Sequence, residues 1–151
     1  MITENFKTAA DNLGWLFKYG RKDFQNLVEG TFNDNDSDGD DETNETYLFL
    51  DPTVDESKYS ENTGALIEEV WTGSAMLLRV SDLDELYFDG IVDGKSKFEQ
   101  YLKPLHGLIQ NELRHELANC GEWTVLFRLQ EIVNVFSENM DGWIIKYKLS
   151  K

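Results

Sequence analysis

Residues 97–118 read KFEQYLKPLHGLIQNELRHELA, and two further stretches follow them, WTVLFRLQEIVNVF at 123–136 and WIIKYKL at 143–149. The first stretch repeats its apolar side chains at steps of three and four residues, which is typical of one face of a helix. These residues are Phe98, Tyr101, Leu102, Leu105, Leu108, Ile109 and Leu113. Cys120-Gly121 predicts the end of this helix. The other two stretches alternate apolar and polar residues, and the turn signal Asn139-Met140-Asp141-Gly142 between them predicts an antiparallel hairpin.

The N-terminal part of the chain predicts one helix and one short strand. Residues 3–17 carry an apolar stripe and predict a helix with Thr3 as its N-cap. The alternation of Trp15, Phe17 and Tyr19 favours a strand over 15–19 instead, and both interpretations stay open for that end. Residues 47–50 predict a short strand that ends at Asp51-Pro52.

The middle of the chain predicts a second hairpin. Two apolar runs, 65–71 and 75–80, flank Thr72-Gly73-Ser74, so Gly73 is expected at the tip of a turn. Residues 53–63 are polar and are expected to form a loop. Residues 81–94 contain two Asp-Gly pairs and are expected to be rich in turns.

These elements predict a single α+β domain over residues 1–151. Its antiparallel sheet would contain two hairpins and a short strand, packed by the N-terminal helix and by one long helix at about 97–118. An acidic loop or insert is expected at about 33–46.

The composition restricts the classes of function. With 29 acidic and 14 basic residues the formal charge is −15, so the general field of the chain repels a nucleic acid backbone. No apolar run reaches the ~20 residues that a membrane-spanning helix needs, and the N-terminus lacks the pattern of a signal peptide. The single Cys120 excludes an intramolecular disulfide and fits a reducing compartment.

The acidic segment matches the spacing of a calcium-binding loop. Carboxylates occupy positions one, three, five and twelve of an EF-hand pattern, and Gly39 occupies position six; the carboxylates are Asp34, Asp36, Asp38 and Glu45. Three features weaken the match: position eight is Asp41, a strand instead of a helix follows Glu45, and no second copy is present. A solvated acidic loop is the alternative interpretation.

No catalytic set is evident in the sequence. His106 and His115 are nine residues apart on the predicted helix, so they point to opposite sides and cannot share a metal ion. Zinc, nucleophile-elbow, P-loop and dinucleotide motifs are missing from the sequence. We therefore expect no enzymatic activity, no catalytic residues and no cofactor other than Ca²⁺ on the acidic loop.

Three segments together resemble proteins of bacteriophage tails and necks. They are LGWLFKYG at 13–20, YLFLDP at 47–52 and EIVNVFSENMDGW at 131–143. In these segments and in the order of its elements the chain is similar to tail-terminator and head–tail joining proteins. It particularly resembles the small tail-associated proteins of phages and mobile elements of gut Bacteroidales. The acidic insert is not part of that family pattern.

The resemblance implies a structural virion protein that is assembled in the host cytoplasm. Its partners would be other tail or neck proteins and further copies of itself, arranged as a ring through which DNA passes without specific binding. A lumen lined by carboxylates would let DNA slide. Two alternatives remain from the residues alone: a calcium-binding regulatory protein that uses the 34–45 loop, and an acidic DNA-mimic inhibitor.

Overall fold

The computed structural model describes residues 1–20, 45–81, 96–135 and 139–151. Within them it contains two helices and a largely antiparallel sheet, which confirms the predicted α+β class. The predicted turns at 82–94 and most of the acidic segment lie outside these residues.

The long helix, α2, runs over 98–121 and confirms the main helical prediction. It consists of Phe98–Leu102, Lys103–Gly107, Leu108–Leu113 and Arg114–Gly121, of which the first and third are π-helical. The N–H of Lys103 donates to the carbonyl of Phe98, five residues back. Pro104 has no N–H to donate, and a wider turn beside it is one way a helix accommodates that loss. The residue with left-handed φ at the helix end is Glu122, not Gly121.

The N-terminal segment forms a helix and then a strand. Helix α1 spans Ile2–Asn12, and strand β1 spans Leu16–Tyr19, so the strand alternative for this end is confirmed. The helix does not continue to residue 17, because Gly14 adopts a φ of +72° and reverses the chain. Its N-cap is Met1, not Thr3.

The main sheet contains β1 and five further strands, which are β2 (Thr46–Leu50), β3 (Val54–Asp55), β6 (Val70–Val80), β7 (Thr124–Val135) and β8 (Met140–Ser150). Their order in the sheet is β1-β2-β6-β8-β7, with β3 attached to β6. The β1–β2 pair is parallel, and the pairs β2–β6, β3–β6, β6–β8 and β7–β8 are antiparallel. Strands β4 (Lys58–Tyr59) and β5 (Leu66–Glu68) form a separate two-stranded sheet.

The predicted hairpin at 65–80 is wrong. Residues 70–80 form one continuous strand, β6, and Gly73 lies within it opposite Tyr147 of β8. A Cβ on residue 73 would collide with the hydroxyl and ring of Tyr147. Gly73 therefore makes room for an aromatic ring on the neighbouring strand and does not form a turn. The predicted loop at 53–63 is also partly wrong, because it contains β3 and β4.

The predicted turn at Asn139–Gly142 is displaced. Strand β8 already begins at Met140, and Gly142 lies in the sheet between Leu78 and Ile132. A Cβ on Gly142 would run into the backbone carbonyl of Leu77. The predicted hairpin of β7 and β8 is nevertheless confirmed, with nine residue pairs in one register and a tenth after a shift between Ile132 and Val135.

Two buried clusters lie on the two faces of the main sheet. The larger one packs α1 and α2 against the sheet and includes Phe6, Leu48, Leu113 and Ile145. The smaller one lies on the opposite face around Tyr47, Phe49, Leu78 and Met140. Both helices therefore cover the same face of the sheet.

Candidate functional site

The predicted calcium ligands fall mostly outside the described residues. Asp34, Asp36 and Asp38 lie there, whereas Glu45 is half-buried immediately before β2. Among the residues that the structure describes, no group of three or more His, Cys, Asp or Glu side chains could hold a metal ion. The calcium loop therefore stays a prediction.

The two histidines have separate surroundings on α2. The His106 ring lies 5.0 Å from the Trp143 ring, measured between centroids. His115 is exposed, as is His106, and its Nε2 is 2.9 Å from Nδ2 of Asn119. Cys120 is exposed, but partial desolvation of its thiol, followed by the nearby Glu116 carboxylate, raises the pKa of that thiol.

The segment that precedes β6 carries exposed apolar side chains, and we call it the arm. It comprises residues 54–68, which hold β3, β4 and β5, and its solvent-facing apolar side chains are Val54, Tyr59, Leu66 and Ile67. Ile67 is 68% exposed and Tyr59 is 58% exposed. Two contacts join its strands β4 and β5. The N–H of Ser60 donates a hydrogen bond of 2.7 Å to the carbonyl of Ala65, and Lys58 Nζ lies 3.3 Å from Oε2 of Glu68. Tyr59 and Leu66 are paired across β4 and β5, and exposed large apolar side chains that lie next to each other are typical of an interaction surface.

Strand β7 forms a long edge of the sheet. Its 12 residues pair only with β8 among the described strands, so the backbone groups on its other side face outward. Leu126 is 64% exposed on this strand and Val133 is 38% exposed. A groove of about 470 Å³ lies beside it, lined by His115 and Arg114 of α2 and by Thr124 and Val125. A free edge beside a groove is suited to pairing with an added strand.

The sheet face away from the helices carries a basic cluster, defined as Arg128, Lys146 and Lys148. Arg128 lies directly opposite Lys146 across the β7–β8 pair, and Lys148 is two residues further along β8. All three side chains are exposed, and none makes an ion pair with a described residue. The described residues contain 15 acidic and 11 basic side chains, whereas the other 41 residues contain 14 acidic and 3 basic ones. The acidic surplus is therefore concentrated outside the described residues.

A buried ion pair joins the start of α2 to the sheet. Lys97 Nζ lies 3.0 Å from Asp141 Oδ2, and the two side chains are 4% and 0% exposed. The same ammonium donates to Oδ1 of Asn134 and to Oγ of Ser81. The second oxygen of Asp141 accepts the N–H of Asn134 at 2.6 Å. The sequence offered no signal for this pair, because Asp141 stood within an apparent turn and Lys97 at the start of an amphipathic helix.

Comparison with known proteins gives no identification. No family model matches the chain, and no curated protein or solved structure matches it. None of the helices within the described residues has the length and apolarity needed to cross a membrane.

Proposed function

We propose that this chain is a structural protein of a phage neck or tail, of the tail-terminator or head–tail connector type, and that it assembles into a ring through which DNA passes. The observation that carries the proposal is the presence of two different exposed apolar surfaces on one subunit. One is the apolar arm, and the other is the outer edge of β7. The sequence resemblance to tail and neck proteins supports the same conclusion.

Two unlike surfaces favour a ring over a twofold dimer. In a head-to-tail contact each subunit presents one surface to its neighbour on one side and a second surface to its neighbour on the other. We propose that the arm of one subunit packs against β7 of the next. Ile67 and Leu126 are the most exposed apolar side chains of the two surfaces, and their burial against each other would supply much of the contact energy.

The charge distribution orients the proposed ring. A surface that lets DNA slide must repel phosphate, and the basic cluster would attract it. The face with Arg128, Lys146 and Lys148 therefore points away from the lumen in this proposal.

The mass of the full-length protein in solution tests this proposal. Multi-angle light scattering should give a particle several times 17.5 kDa, formed by the chain alone or on mixing with tail-tube protein, and indifferent to Ca²⁺. Ile67→Lys and Leu126→Glu should each reduce the particle to the monomer mass. Thr8→Lys, which adds the same single positive charge as Ile67→Lys at an exposed position of α1, serves as the control and should leave assembly intact.

A strictly monomeric chain, alone and with tail-tube protein, would contradict the ring. A monomer whose melting temperature rises with Ca²⁺ would favour the calcium-binding alternative, because a ligand that binds only the folded state stabilises it.

A further inference from the structure

The arm and strand β7 lie at opposite ends of one row of paired residues in the main sheet. Val54 of the arm is opposite Thr72 of β6. Thr72 is opposite Lys148 of β8, which in turn is opposite Leu126 of β7. This row spans three strand spacings, or about 14 Å. Because the arm and β7 lie on opposite sides of β8, one copy has room for a neighbour on each side, as a head-to-tail contact requires.

Leu126 shares its face of the sheet with the basic cluster. Lys148 is directly opposite Leu126, and Arg128 is two residues further along β7, opposite Lys146. Side chains alternate along a strand, and the residues of β8 between these lysines pack in the core under the helices. The cluster and Leu126 therefore lie on the face away from the helices, which we call the outer face. A segment that covers Leu126 on this face also covers cationic groups.

Strands β6, β7 and β8 supply no counter-charge to the basic cluster. Strand β6 has no acidic residue, and the acidic residues of the other two strands are Glu131 and Asp141. Each lies an odd number of positions from the cluster residues of its strand, so its side chain belongs to the helix side. Two members of the cluster are directly opposite each other, and like charges in that position destabilise a sheet. A partner that brings carboxylates to the outer face relieves this repulsion.

The arm carries the opposite charge. Its residues include four acidic side chains and one basic side chain, a net charge of −3 against +3 for the basic cluster. Glu68 is already paired with Lys58. Glu56 and Glu61 are exposed and make no ion pair with a described residue. The segment that exposes Ile67 therefore also presents two carboxylates that are able to meet the cations of another chain.

We propose that the arm of a second copy lies across the outer face of β7 and β8, with Glu56 and Glu61 against the basic cluster and Ile67 against Leu126. This inference rests on the proposed ring and identifies the charges that select its contact. Apolar burial has no direction, so the apolar pair alone does not decide which face of β7 the arm covers. The charges decide it, because the outer face is basic and the arm is acidic.

Two variants that each lack one surface isolate a single contact of the full-length protein. Ile67→Lys disables the arm but keeps the basic cluster, and Leu126→Glu disables β7 but keeps the arm. Mixed together, they should form a heterodimer of twice the monomer mass, and titration calorimetry gives its dissociation constant. We expect this constant to rise at least about tenfold between about 50 mM and about 500 mM NaCl, because salt screens exposed charges.

A charge swap between the two variants tests the match directly. Arg128→Glu in the first variant, or Glu61→Lys in the second, should weaken binding about tenfold, and the two changes together should restore most of the affinity. Lys103→Glu in the first variant and Glu112→Lys in the second are the matched controls. They make the same charge changes at exposed positions of α2, and they should leave the dissociation constant within about twofold.

The outcomes separate this inference from the ring itself. Salt-independent binding, or reversal variants that bind as well as their controls, would overturn the charge match and leave the ring standing. If the wild type assembles while the two one-sided variants do not bind each other, the ring uses other surfaces, and this inference is overturned together with the contact between the arm and β7. A wild type that stays monomeric, alone and with tail-tube protein, would overturn both the ring and this inference.

Discussion

Replacing Lys97 by Met should destabilise the fold more than any exposed charge replacement. The substitution removes the ammonium group but keeps an unbranched side chain in a site that is only 4% exposed. It leaves the Asp141 carboxylate buried and without its cation. It also leaves Oδ1 of Asn134 without the donor that it accepts from.

The expected magnitude follows from the burial of the pair. Breaking a buried ion pair by removing one partner costs about 3–5 kcal/mol, because the remaining charge stays out of water. For a chain of this size, about 3–5 kcal/mol lowers the melting temperature by roughly 6–20 °C. Lys103→Met is the matched control on the same helix. The Lys103 side chain is 65% exposed, and its Nζ lies 3.7 Å from Oε2 of Glu99. An exposed ion pair of this kind contributes about 0–1 kcal/mol to the free energy of unfolding.

Urea unfolding of four proteins measures the effect: the wild type, Lys97→Met, Asp141→Asn and the double variant. Asp141→Asn retains an oxygen that can accept the N–H of Asn134, so it mainly removes the charge. The double variant should be destabilised by clearly less than the sum of the two single variants, because neither charge is then left alone. If Lys97→Met lowers the free energy of unfolding by no more than Lys103→Met does, the ion pair does not stabilise the packing of α2 on the sheet.

Three further predictions concern other parts of the chain. Because the pKa of Tyr147 is raised in the folded state, its stabilising contribution is complete below the unfolded pKa of about 10 and is lost as the pH rises further. The urea midpoint of the wild type should therefore fall more steeply above about pH 10 than the midpoint of Tyr147→Phe. Parallel plots of midpoint against pH for the two proteins would contradict this prediction. Gly142→Ala should lower the free energy of unfolding in urea by about 3 kcal/mol or more, since the new Cβ would collide with the backbone carbonyl of Leu77. An unchanged urea midpoint would show that β6 and β8 can move apart to accept the methyl group. Alkylation of Cys120 by iodoacetamide at pH 8 should be slower than that of a free cysteine and faster in Glu116→Gln, because partial desolvation and the Glu116 carboxylate both raise the pKa of the thiol. Equal alkylation rates in the wild type and Glu116→Gln would exclude the contribution of Glu116.

Local periodicity was enough to predict the helices and most of the main sheet. The apolar steps from Phe98 to Leu113 depend only on neighbours three and four residues apart, and the alternation in β7 and β8 depends only on neighbours two apart. The errors arose where the residue type is required by a contact with a strand that is distant in the sequence. Gly73 appeared to mark a turn, but it is required by the ring of Tyr147, 74 positions further along the chain. The surfaces of the proposed ring contact were also not predictable, since the exposure of Ile67 and Leu126 depends on how distant parts of the chain pack.

The Asp-Gly pair at 141–142 shows why this kind of error is physical and not accidental. A turn favours these residue types because Asp can accept hydrogen bonds from nearby backbone N–H groups and Gly has no Cβ. The same two properties serve inside this sheet, where Asp141 accepts the N–H of Asn134 and Gly142 lets the Leu77 carbonyl approach. The left-handed residues are instead Asn134 and Asn139, with φ of 55° and 56°, and asparagine tolerates that conformation better than most residues. A short sequence pattern shows that the backbone requires an acceptor side chain and a residue without a Cβ at these positions. Strand pairing decides whether those positions lie in a turn or within a sheet.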